Sequence, residues 1–539
     1  MYVTMLKDVY TTITSSSSTT AISSTMEPLD QHSVLWILIL SFILAFFLAF
    51  GIGANDVANS FGTSVGSKVL TQRQACILAT IFEISGAVLL GYKVSSTIRV
   101  GMIYVEMYDD TKVLMAGYLA ALFGSALWNL VATLFGLPVS GTHSIVGSMI
   151  GFSIVGHGFG SVKWQELIRI VASWFISPIM SGLISLSLYL FIRWYIINRE
   201  EPLKNGLKML PVFYGFTIFI NIFSIVHNGP LFLKYITWWI ALIMACVVGT
   251  VVGLLVRIWI VPHLHAKILE IKSNLTHTAI QMTQQHLDHH LHHHQQKNSK
   301  ENPVDIMKLT PIVNNDENGG IDNSCPPSAN NNNNQNQNQN DDHDNNNIRK
   351  SIDVEIAEKN NVQQSFDVDD DKPEVAKIFT FLHILTACFS SFAHGANDTS
   401  NAIGPLVAVV MLYQTGTQTD ESPWYLLLFG GVGMSVGLWI WGRRVIQTMG
   451  KRLTKITPST GFVAEIGAAS TVLLASKIGL PVSTTHCQVG SVVFVGKAMN
   501  SQKGVNWKLF INIAISWALT VPLSALFAAA AMWILMFTV

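Results

Sequence analysis

Long apolar stretches, separated mostly by short polar loops, dominate this sequence and limit what it can fold into. Most of them reach the roughly 20 residues that an α-helix needs to cross a bilayer. Only 12% of the residues are charged, against about 25% in ordinary soluble domains. The sequence therefore predicts an all-α polytopic membrane protein with about 12 transmembrane segments. The apolar stretches lie at 34–55, 75–92, 113–136, 139–157, 165–196, 209–226, 236–261, 377–411, 424–442, 460–479, 480–498 and 507–539.

Charge and cysteine content exclude several other classes of protein. The formal net charge is zero, so nothing indicates nucleic acid as a partner. The five cysteines are scattered without a CxxC pair, which is typical of packing residues and not of a disulfide framework. The first 33 residues lack the basic and apolar regions of a signal peptide. We therefore expect the stretch 34–55 to act as an uncleaved signal anchor.

Composition divides the chain into four parts. The segment 263–376 carries a histidine-rich run and an Asn/Gln tract, and it has too little apolar surface to offset its ordering entropy. We expect mostly disorder there, and a continuation of the preceding membrane helix over 264–296 as a short amphipathic stem is left open. The histidine run could bind metal, although a biased tract in a disordered loop is the favoured interpretation. The four predicted parts are a Ser/Thr-rich extracellular tail (1–33), an N-terminal membrane half with a first repeat and scaffold helices (34–262), a cytoplasmic disordered loop (263–376) and a C-terminal membrane half with a second, inverted repeat (377–539).

Loop charges predict the orientation in the membrane. The connection 443–455 carries five basic residues and no acidic one, so the positive-inside rule places it in the cytoplasm. Counting segments from there puts the central loop in the cytoplasm and both termini outside. We expect a multi-pass protein of the plasma membrane, while the residues themselves leave an internal membrane open.

A seven-residue motif occurs twice inside apolar stretches. Gly53–Asn59 reads GANDVAN, and Gly395–Asn401 reads GANDTSN. An Asp at the centre of a membrane helix costs about 2.5–3.5 kcal/mol on insertion scales, so each copy needs a reason. The predicted orientation runs the first copy inward and the second outward. Inverted-topology repeats of this kind indicate a secondary transporter with its site at the repeat interface.

A second motif is duplicated at nearly the same distance. Gly136–His143 reads GLPVSGTH and Gly479–His486 reads GLPVSTTH, and Asp56 to Thr142 spans 86 residues where Asp398 to Thr485 spans 87. No polar loop accompanies either copy, which predicts a tight or re-entrant helical hairpin, tolerated at membrane depth only inside protein or beside a cavity. Pro, hydroxyls and free backbone N–H groups at a helix start suit a tetrahedral oxyanion.

The acidic residues of these stretches are better suited to cations. Asp56 and Asp398 would bind cations that offset the charge of the anion, with neighbouring amide oxygens as additional ligands for a hard cation such as Na⁺. Two other intramembrane acids, Glu83 and Glu465, are expected to bind cations or protons. The structural alternatives are capping of a helix break by Asn and Asp, and pairing of the acids with structural donors.

An enzymatic interpretation has little support. A serine and a histidine stand three residues apart in each turn, but no GxSxG motif accompanies them and both copies are equal. We therefore expect a protein that is not an enzyme and needs no cofactor. For His143 and His486, two interpretations stay open, namely bonding to backbone carbonyls and a role with substrate or protons.

Four motifs, in order, resemble the inorganic phosphate transporter (PiT) family. They are GANDVANSFGTSVGSKVLTQRQACILATIFE, LPVSGTH, GANDTSNAIGPLVAV and LPVSTTH. The similarity covers nearly everything except the first 33 residues and the central loop. It implies a sodium-coupled phosphate symporter with twelve membrane segments, extracellular termini and a large cytoplasmic loop. Two departures, Thr399-Ser400 in the second GAND motif and Gly141 opposite Thr484, are minor and could alter ion stoichiometry.

The resemblance also implies roles for individual residues. The residues that it assigns to sodium are Asn55, Asp56, Asn59, Asn397, Asp398 and Asn401. Those that it assigns to phosphate are Ser140, Gly141, Thr142, Ser483, Thr484 and Thr485. Glu83 and Glu465 match acidic positions that are important for transport in animal members, and His143 and His486 are further candidates.

The sequence thus favours sodium-coupled import of phosphate by alternating access. Rival hypotheses are proton coupling, transport of sulfate or arsenate on the same fold and, from other classes, a channel or a phosphate-sensing receptor. The expected partners are inorganic phosphate, sodium ions and membrane lipid, with no nucleic acid and with a homodimer left open.

Overall fold

The computed structural model describes residues 30–227, 236–270, 371–418, 422–499 and 504–539, together with the single positions 273 and 281. The chain divides into two compact units, one comprising Met1–Val261 and Asp371–Val539 and the other Pro262–Asp370. Of the second unit, 262–270 are described, as helix. Apart from their edges, the predicted tail (1–33) and central loop (263–376) lie outside the described residues, and their predicted character stays a prediction.

Fourteen α-helices make up most of the described part of the chain. Those of the N-terminal half are α1 (Gln31–Asn55), α2 (Val57–Gly66), α3 (Gln72–Leu90), α4 (Tyr92–Ser96), α5 (Thr111–Leu134), α6 (Gly141–His157), α7 (Trp164–Ile192), α8 (Pro202–Val226) and α9 (Trp238–Leu255). Those of the C-terminal half are α10 (Pro373–Thr415), α11 (Trp424–Arg452), α12 (Pro458–Lys477), α13 (Thr484–Ala498) and α14 (Trp507–Leu535). Short π or 3₁₀ turns lie at Thr97–Gly101, Val105–Met107, Phe159–Ser161, Arg193–Ile197 and Val256–Ile260.

Ten helical spans in the described residues are long and apolar enough to cross a membrane. The two remaining apolar stretches form α6 and α13, which have 17 and 15 residues and follow the tight turns 135–140 and 478–483. All twelve predicted stretches are therefore helical, ten as spans and two as the second arms of hairpins. The predicted fold class, an all-α membrane protein with two inverted repeats and re-entrant hairpins, is confirmed.

The two repeats interlock instead of packing as separate bodies. By sequence, α1, α3, α5, α6 and α7 correspond to α10, α11, α12, α13 and α14. Helix α1 packs on α11 of the other repeat, and α10 packs on α3 in the reciprocal arrangement. Helix α6 packs on α14, as α13 does on α7. Each repeat therefore completes its core with helices of the other, and the GAND motifs lie where the two meet.

Burial separates inner from outer helices. In the apolar windows of α5 and α12, 78% and 83% of the residues are buried inside the protein, whereas in those of α9 and α14 only 22% are. The first arms of the two hairpins are thus core helices. Helices α9 and α14 leave apolar side chains on the outside, as a helix that faces lipid does.

Local signals fix where the hairpin arms start and stop. Thr457 and Thr460 form a capping box at the start of α12, so two of the free N–H groups there are bonded by side chains. Gly136 follows α5 with a φ of +65°, and Gly479 follows α12 with a φ of +72°. This left-handed conformation is easily reached only by glycine, and it ends each helix before its turn. The glycine of both GLPVS motifs is thereby explained.

The glycine of each GAND motif allows a close helix contact. A Cβ at Gly53 would run into the backbone of Met434 in α11, and one at Gly395 would run into the backbone of Glu83 in α3. Small residues at such points let membrane helices approach closely. The duplicated glycine therefore seats each GAND segment against the other repeat.

Candidate functional site

The two GAND motifs adopt different backbone structures. In the first copy, α1 ends at Asn55, Asp56 lies in a turn, and α2 begins at Val57. The second copy lies within the continuous helix α10. The expectation of broken helices at a transport site thus holds for one copy only, and both copies are buried in the protein.

The first asparagine of each motif clamps the turn of its own hairpin. Asn55 donates from Nδ2 to the Thr133 hydroxyl (3.2 Å) and the Leu137 carbonyl (2.8 Å), and its Oδ1 accepts from the N–H of Val139 at 3.1 Å. With its amide oriented to suit its neighbours, Asn397 accepts from a hydroxyl of α12 and donates to a carbonyl of the second turn. These two predicted sodium ligands therefore hold the hairpin turns beside the acids.

The threonines of the turns cross between the repeats. Thr142 donates to the carbonyl of Val482 in the other turn (2.9 Å), and its hydroxyl lies 3.5 Å from Asp398 Oδ1. Thr485 lies correspondingly, 3.4 Å from the carbonyl of Val139 and 2.9 Å from Asp56 Oδ1. Each acid is thus reached by the hairpin of the opposite repeat, which brings the four duplicated motifs into one site.

Asp56 is held by neutral donors at the start of a helix. Its Oδ2 accepts from the N–H of Gly141 at 3.2 Å, and its Oδ1 accepts from Thr485. Gly141 is the first residue of α6, where unpaired N–H groups and the helix dipole favour negative charge. The side chain is only 1% exposed.

Asp398 has a larger set of partners. Its Oδ2 accepts from the Thr484 hydroxyl at 2.5 Å and lies 2.7 Å from His394 Nε2, while its Oδ1 accepts from Asn401 at 2.9 Å. The other nitrogen of His394, Nδ1, lies 2.8 Å from Glu83 Oε2. An imidazole thus lies between the carboxylates of Glu83 and Asp398, in a buried row of three ionisable groups.

Asp56, His394 and Asp398 form one buried cluster. An oxygen or nitrogen of each lies within 4.8 Å of the others, close enough to share a cation. Buried charges are stable only when paired, and two neighbouring carboxylates need a cation or a proton. His394 was missed in the sequence analysis; its position four residues before Asp398, on the same helix face, is the signal that could have identified it.

The serines of the turns cap the helices that follow. Ser140 accepts from the N–H of His143 at 3.3 Å, and Ser483 accepts from that of His486 at 3.2 Å. In this conformation the first amides of α6 therefore bond the Ser140 hydroxyl and Asp56. The predicted phosphate ligands Ser140, Gly141, Thr142, Ser483, Thr484 and Thr485 all lie at the facing ends of the two hairpins.

The two turn histidines contact each other and the outer helices. Their ring centroids are 4.4 Å apart in an edge-on arrangement. His143 packs on Trp174 of α7 at 3.8 Å, and His486 packs on Trp517 of α14 at 3.7 Å. His486 Nδ1 lies 3.0 Å from the carbonyl of Trp174. A backbone bond of this kind was one of the two interpretations left open, and the stacking fixes both rings at the repeat interface.

Glu83 of α3 and Glu465 of α12 each accept a hydrogen bond from a serine of α10. Glu83 is bonded by Ser391 at 2.8 Å as well as by the imidazole described above. Glu465, fully buried in α12, accepts from the hydroxyls of Thr63 and Ser390. The side chain of Asn59 lies outside the described part of the structure, so its predicted role stays a prediction.

A small cavity adjoins the cluster, with a volume of about 10 Å³. It is large enough for roughly one water-sized particle. Its polar wall includes two partners of Asp398, namely His394 and Thr484, and one partner of Glu465, Ser390. The remaining lining residues are Ser60, Ala468, Ala469, Val472 and Gln488.

Comparison with known proteins agrees with this geometry. Residues 52–528 match the phosphate transporter family. Sodium-dependent phosphate transporter 1-A of Danio rerio is 40% identical, over 93% of this chain and 95% of the relative. Sodium-dependent phosphate transporter 1 of Homo sapiens is 38% identical, over 97% and 99%. A solved structure described as the sodium-dependent phosphate transporter superposes with a TM-score of 0.69 at 33% identity, covering 93% of this chain and 99% of that one. The family predicted from four motifs is confirmed, and the chain belongs to the phosphate transporter family.

Proposed function

We propose that this chain is a sodium-coupled inorganic phosphate symporter that imports phosphate into the cytoplasm by alternating access. The observation that carries the proposal is the reciprocal contact of each GAND aspartate with the hairpin threonine of the other repeat. Movement of one repeat against the other therefore changes the contacts of both acids and both hairpins at once. The matched family and the names of the relatives support phosphate as substrate and sodium as coupling ion.

The cations bind at the paired acids. Asp56 and Asp398 supply the charge, and Asn55, Asn397 and Asn401 of the same motifs lie beside them. Asn59 completes the predicted ligand set. Burial makes an uncompensated pair of carboxylates costly, so sodium entry stabilises the closed arrangement. Glu83 and Glu465 are the second pair of acids that transport requires.

Phosphate binds at the facing hairpin ends. The hydroxyls of Ser140, Thr142, Ser483, Thr484 and Thr485 and the backbone N–H of Gly141 supply donors at two helix N-termini. In the compact conformation many of these donors are bonded to Asp56, to Asp398 or to the opposite turn. Opening of the interface frees them, and the bound cations balance the charge of the anion. His143 and His486 line the same interface and are further candidates for substrate contact.

Proton coupling is the main rival. It is favoured by one observation, the imidazole of His394 between Glu83 and Asp398, because a histidine held between two carboxylates can carry a proton. Hydroxyl cradles also discriminate poorly among tetrahedral anions, so transport of sulfate or arsenate is a second rival hypothesis.

The setting of the protein is proposed on the same basis. We place it in the plasma membrane, in contact with lipid, with both termini outside, a cytoplasmic loop at 263–376 and membrane halves at 34–262 and 377–539. A homodimer, the absence of a cofactor and the absence of enzymatic activity stay predictions of the sequence.

Uptake of radiolabelled phosphate into proteoliposomes tests the proposal. Uptake should require an inward sodium gradient, fall to background when choline replaces sodium, and resist competition by sulfate. Equal uptake in choline with an inward proton gradient would establish the rival coupling. A lack of uptake under either gradient, from protein that elutes as a single folded species, would refute phosphate as the substrate.

A further inference from the structure

A second buried network surrounds Glu465, away from the paired aspartates. The carboxylate accepts from Thr63 in α2 and Ser390 in α10, both neutral hydroxyls. Because a buried carboxylate with only neutral donors still needs a positive charge nearby, Glu465 is suited to a transient cation. Ser390 also lines the small cavity that adjoins the partners of Asp398. The network therefore borders the space next to the main cluster.

His383 of α10 is the next member of this network. It is fully buried, with Nε2 3.2 Å from the hydroxyl oxygen of Thr63 and Nδ1 3.4 Å from that of Ser67. A hydroxyl has one proton to donate, and Thr63 gives it to Glu465 when that carboxyl is ionised, the state in which it would hold a cation. The contact with His383 must then be donated by Nε2–H. The imidazole thereby fixes the direction in which the Thr63 hydroxyl points.

The helix opposite is shaped for this ring. A Cβ at Gly461 in α12 would collide with the imidazole of His383. Gly461 lies four residues before Glu465, so both are on the face of α12 that meets the ring and the threonine. Helices α2, α10 and α12 thus meet at one point. Gly461 leaves room for the His383 ring, and Glu465 accepts the hydrogen bond of the Thr63 hydroxyl that His383 orients.

The network joins Thr63 of the first repeat to His383 and Glu465 of the second, and it has no counterpart at the symmetry-related positions. With Asp56 aligned to Asp398, His383 corresponds to Ser41 and Thr63 corresponds to Pro405. Pro405 has no hydroxyl to donate, so the duplicated fold does not require this arrangement for packing. A buried polar network without a symmetry-related counterpart indicates a role in transport that the shared packing does not explain.

We propose that His383 is a positioning residue for sodium coupling, acting through Thr63 on the Glu465 carboxylate. The inference rests on the proposed function, since Glu465 is treated as a sodium-linked acid. Without the contact from His383, the Thr63 hydroxyl can turn away, and the Glu465 carboxylate loses a donor that holds its orientation. Sodium affinity then falls, while the phosphate site at the hairpins is left intact.

The test compares His383→Phe, His383→Gln, Thr63→Val and the double variant His383→Phe/Thr63→Val in proteoliposomes. Phe keeps a ring over Gly461 but cannot donate, whereas Gln keeps a donor at a similar reach. We expect His383→Phe and Thr63→Val each to raise the half-saturating sodium concentration about tenfold. The phosphate KM at saturating sodium should stay within about twofold, and Gln should restore the sodium dependence.

The double variant and a control make the test specific. If His383 acts through Thr63, the double variant should be no worse than Thr63→Val, because coupled residues are not additive. Thr386→Val is the matched control, since this buried hydroxyl bonds only the carbonyl of His383 in its own helix. It should transport like the unmodified protein.

Three outcomes would overturn the inference: normal sodium dependence in His383→Phe, failure of Gln to restore it, or additive effects in the double variant. If His383→Phe does not fold, the other two variants still test the inference. Thr63→Val should then raise the half-saturating sodium concentration, and His383→Gln should leave it unchanged. Unmodified protein in the same preparation separates the two proposals. Loss of sodium-stimulated uptake there would refute the proposed function, and the inference with it.

Discussion

The two repeats present the same scaffold around very different charges. Position for position, the hairpins agree: each turn begins at a left-handed glycine, each following helix is capped by a serine, and each threonine reaches the acid of the other repeat. The acids differ in their partners. Asp398 pairs with His394 one turn earlier, whereas the residue one turn before Asp56 is Ile52.

This difference teaches which acid depends most on a cation. Asp56 is bonded by a backbone N–H and a threonine hydroxyl, both neutral. Asp398 adds an imidazole that also pairs with Glu83, so part of its charge is balanced by the protein itself. The duplicated frame is therefore symmetric, whereas the two acid sites are chemically distinct. We infer that Asp56 is the acid more dependent on sodium.

The largest expected effect comes from removing the asymmetry. His394→Ile gives the second repeat the residue of the first and leaves Glu83 buried without its imidazole partner. Breaking a buried ion pair on one side costs about 3–5 kcal/mol, so we expect a large loss of thermal stability in detergent and of uptake. His394→Gln, which keeps donors, should lose less of both. Equal stability of the Ile variant and the unmodified protein would show that the pair carries no charge.

A smaller effect tests the symmetric part. Thr142→Val and Thr485→Val each remove a hydroxyl that joins one hairpin to the opposite acid and turn. Thr485 donates to a carboxylate, and loss of such a bond costs about 1.5–3 kcal/mol, so phosphate uptake should fall at least about tenfold in Thr485→Val. Thr142 donates to the Val482 carbonyl, and loss of a neutral bond costs about 0.5–1.5 kcal/mol, so the fall in Thr142→Val should be smaller. Thr217→Val is the control, since this buried hydroxyl bonds only a carbonyl of its own helix. Normal uptake in either variant would contradict the reciprocal arrangement.

The smallest effect concerns the turns. Gly136→Ala and Gly479→Ala place a Cβ on residues in the left-handed region. Such strain costs on the order of 1 kcal/mol, so each variant should show a slightly lower melting temperature in detergent and near-normal transport. The two shifts should be similar. A loss of transport in one variant alone would indicate that its turn moves during the cycle.

Much of this architecture could be predicted because the duplicated motifs indicate which distant parts of the chain lie close together. Two inverted copies of GAND and GLPVS must face each other if they share one site, and Asp56, Asp398, Thr142 and Thr485 do meet. Turn glycines and caps act locally, so their effects are visible in the sequence as well.

Other features depend on packing between distant helices. The pairing of His394 with Glu83 joins α10 to α3, and the sequence around either residue does not indicate the other as its partner. The continuity of α10 could not be predicted either, because a helix ends within the first GAND motif and runs through the second, although the four residues are identical. Asn55, expected beside sodium, uses its Oδ1 to accept from the N–H of Val139, a bond that follows from how closely the turn approaches α1.

The central claim is that the paired aspartates of the two repeats bind the coupling cation. The most direct test is equilibrium binding of radiolabelled sodium to purified protein in detergent, for the unmodified chain and for Asp56→Asn and Asp398→Asn. We expect saturable binding that weakens in both variants, and more in Asp56→Asn because the hydrogen-bond donors of that acid, Gly141 and Thr485, are both neutral. Sodium binding unchanged in both variants would contradict the account.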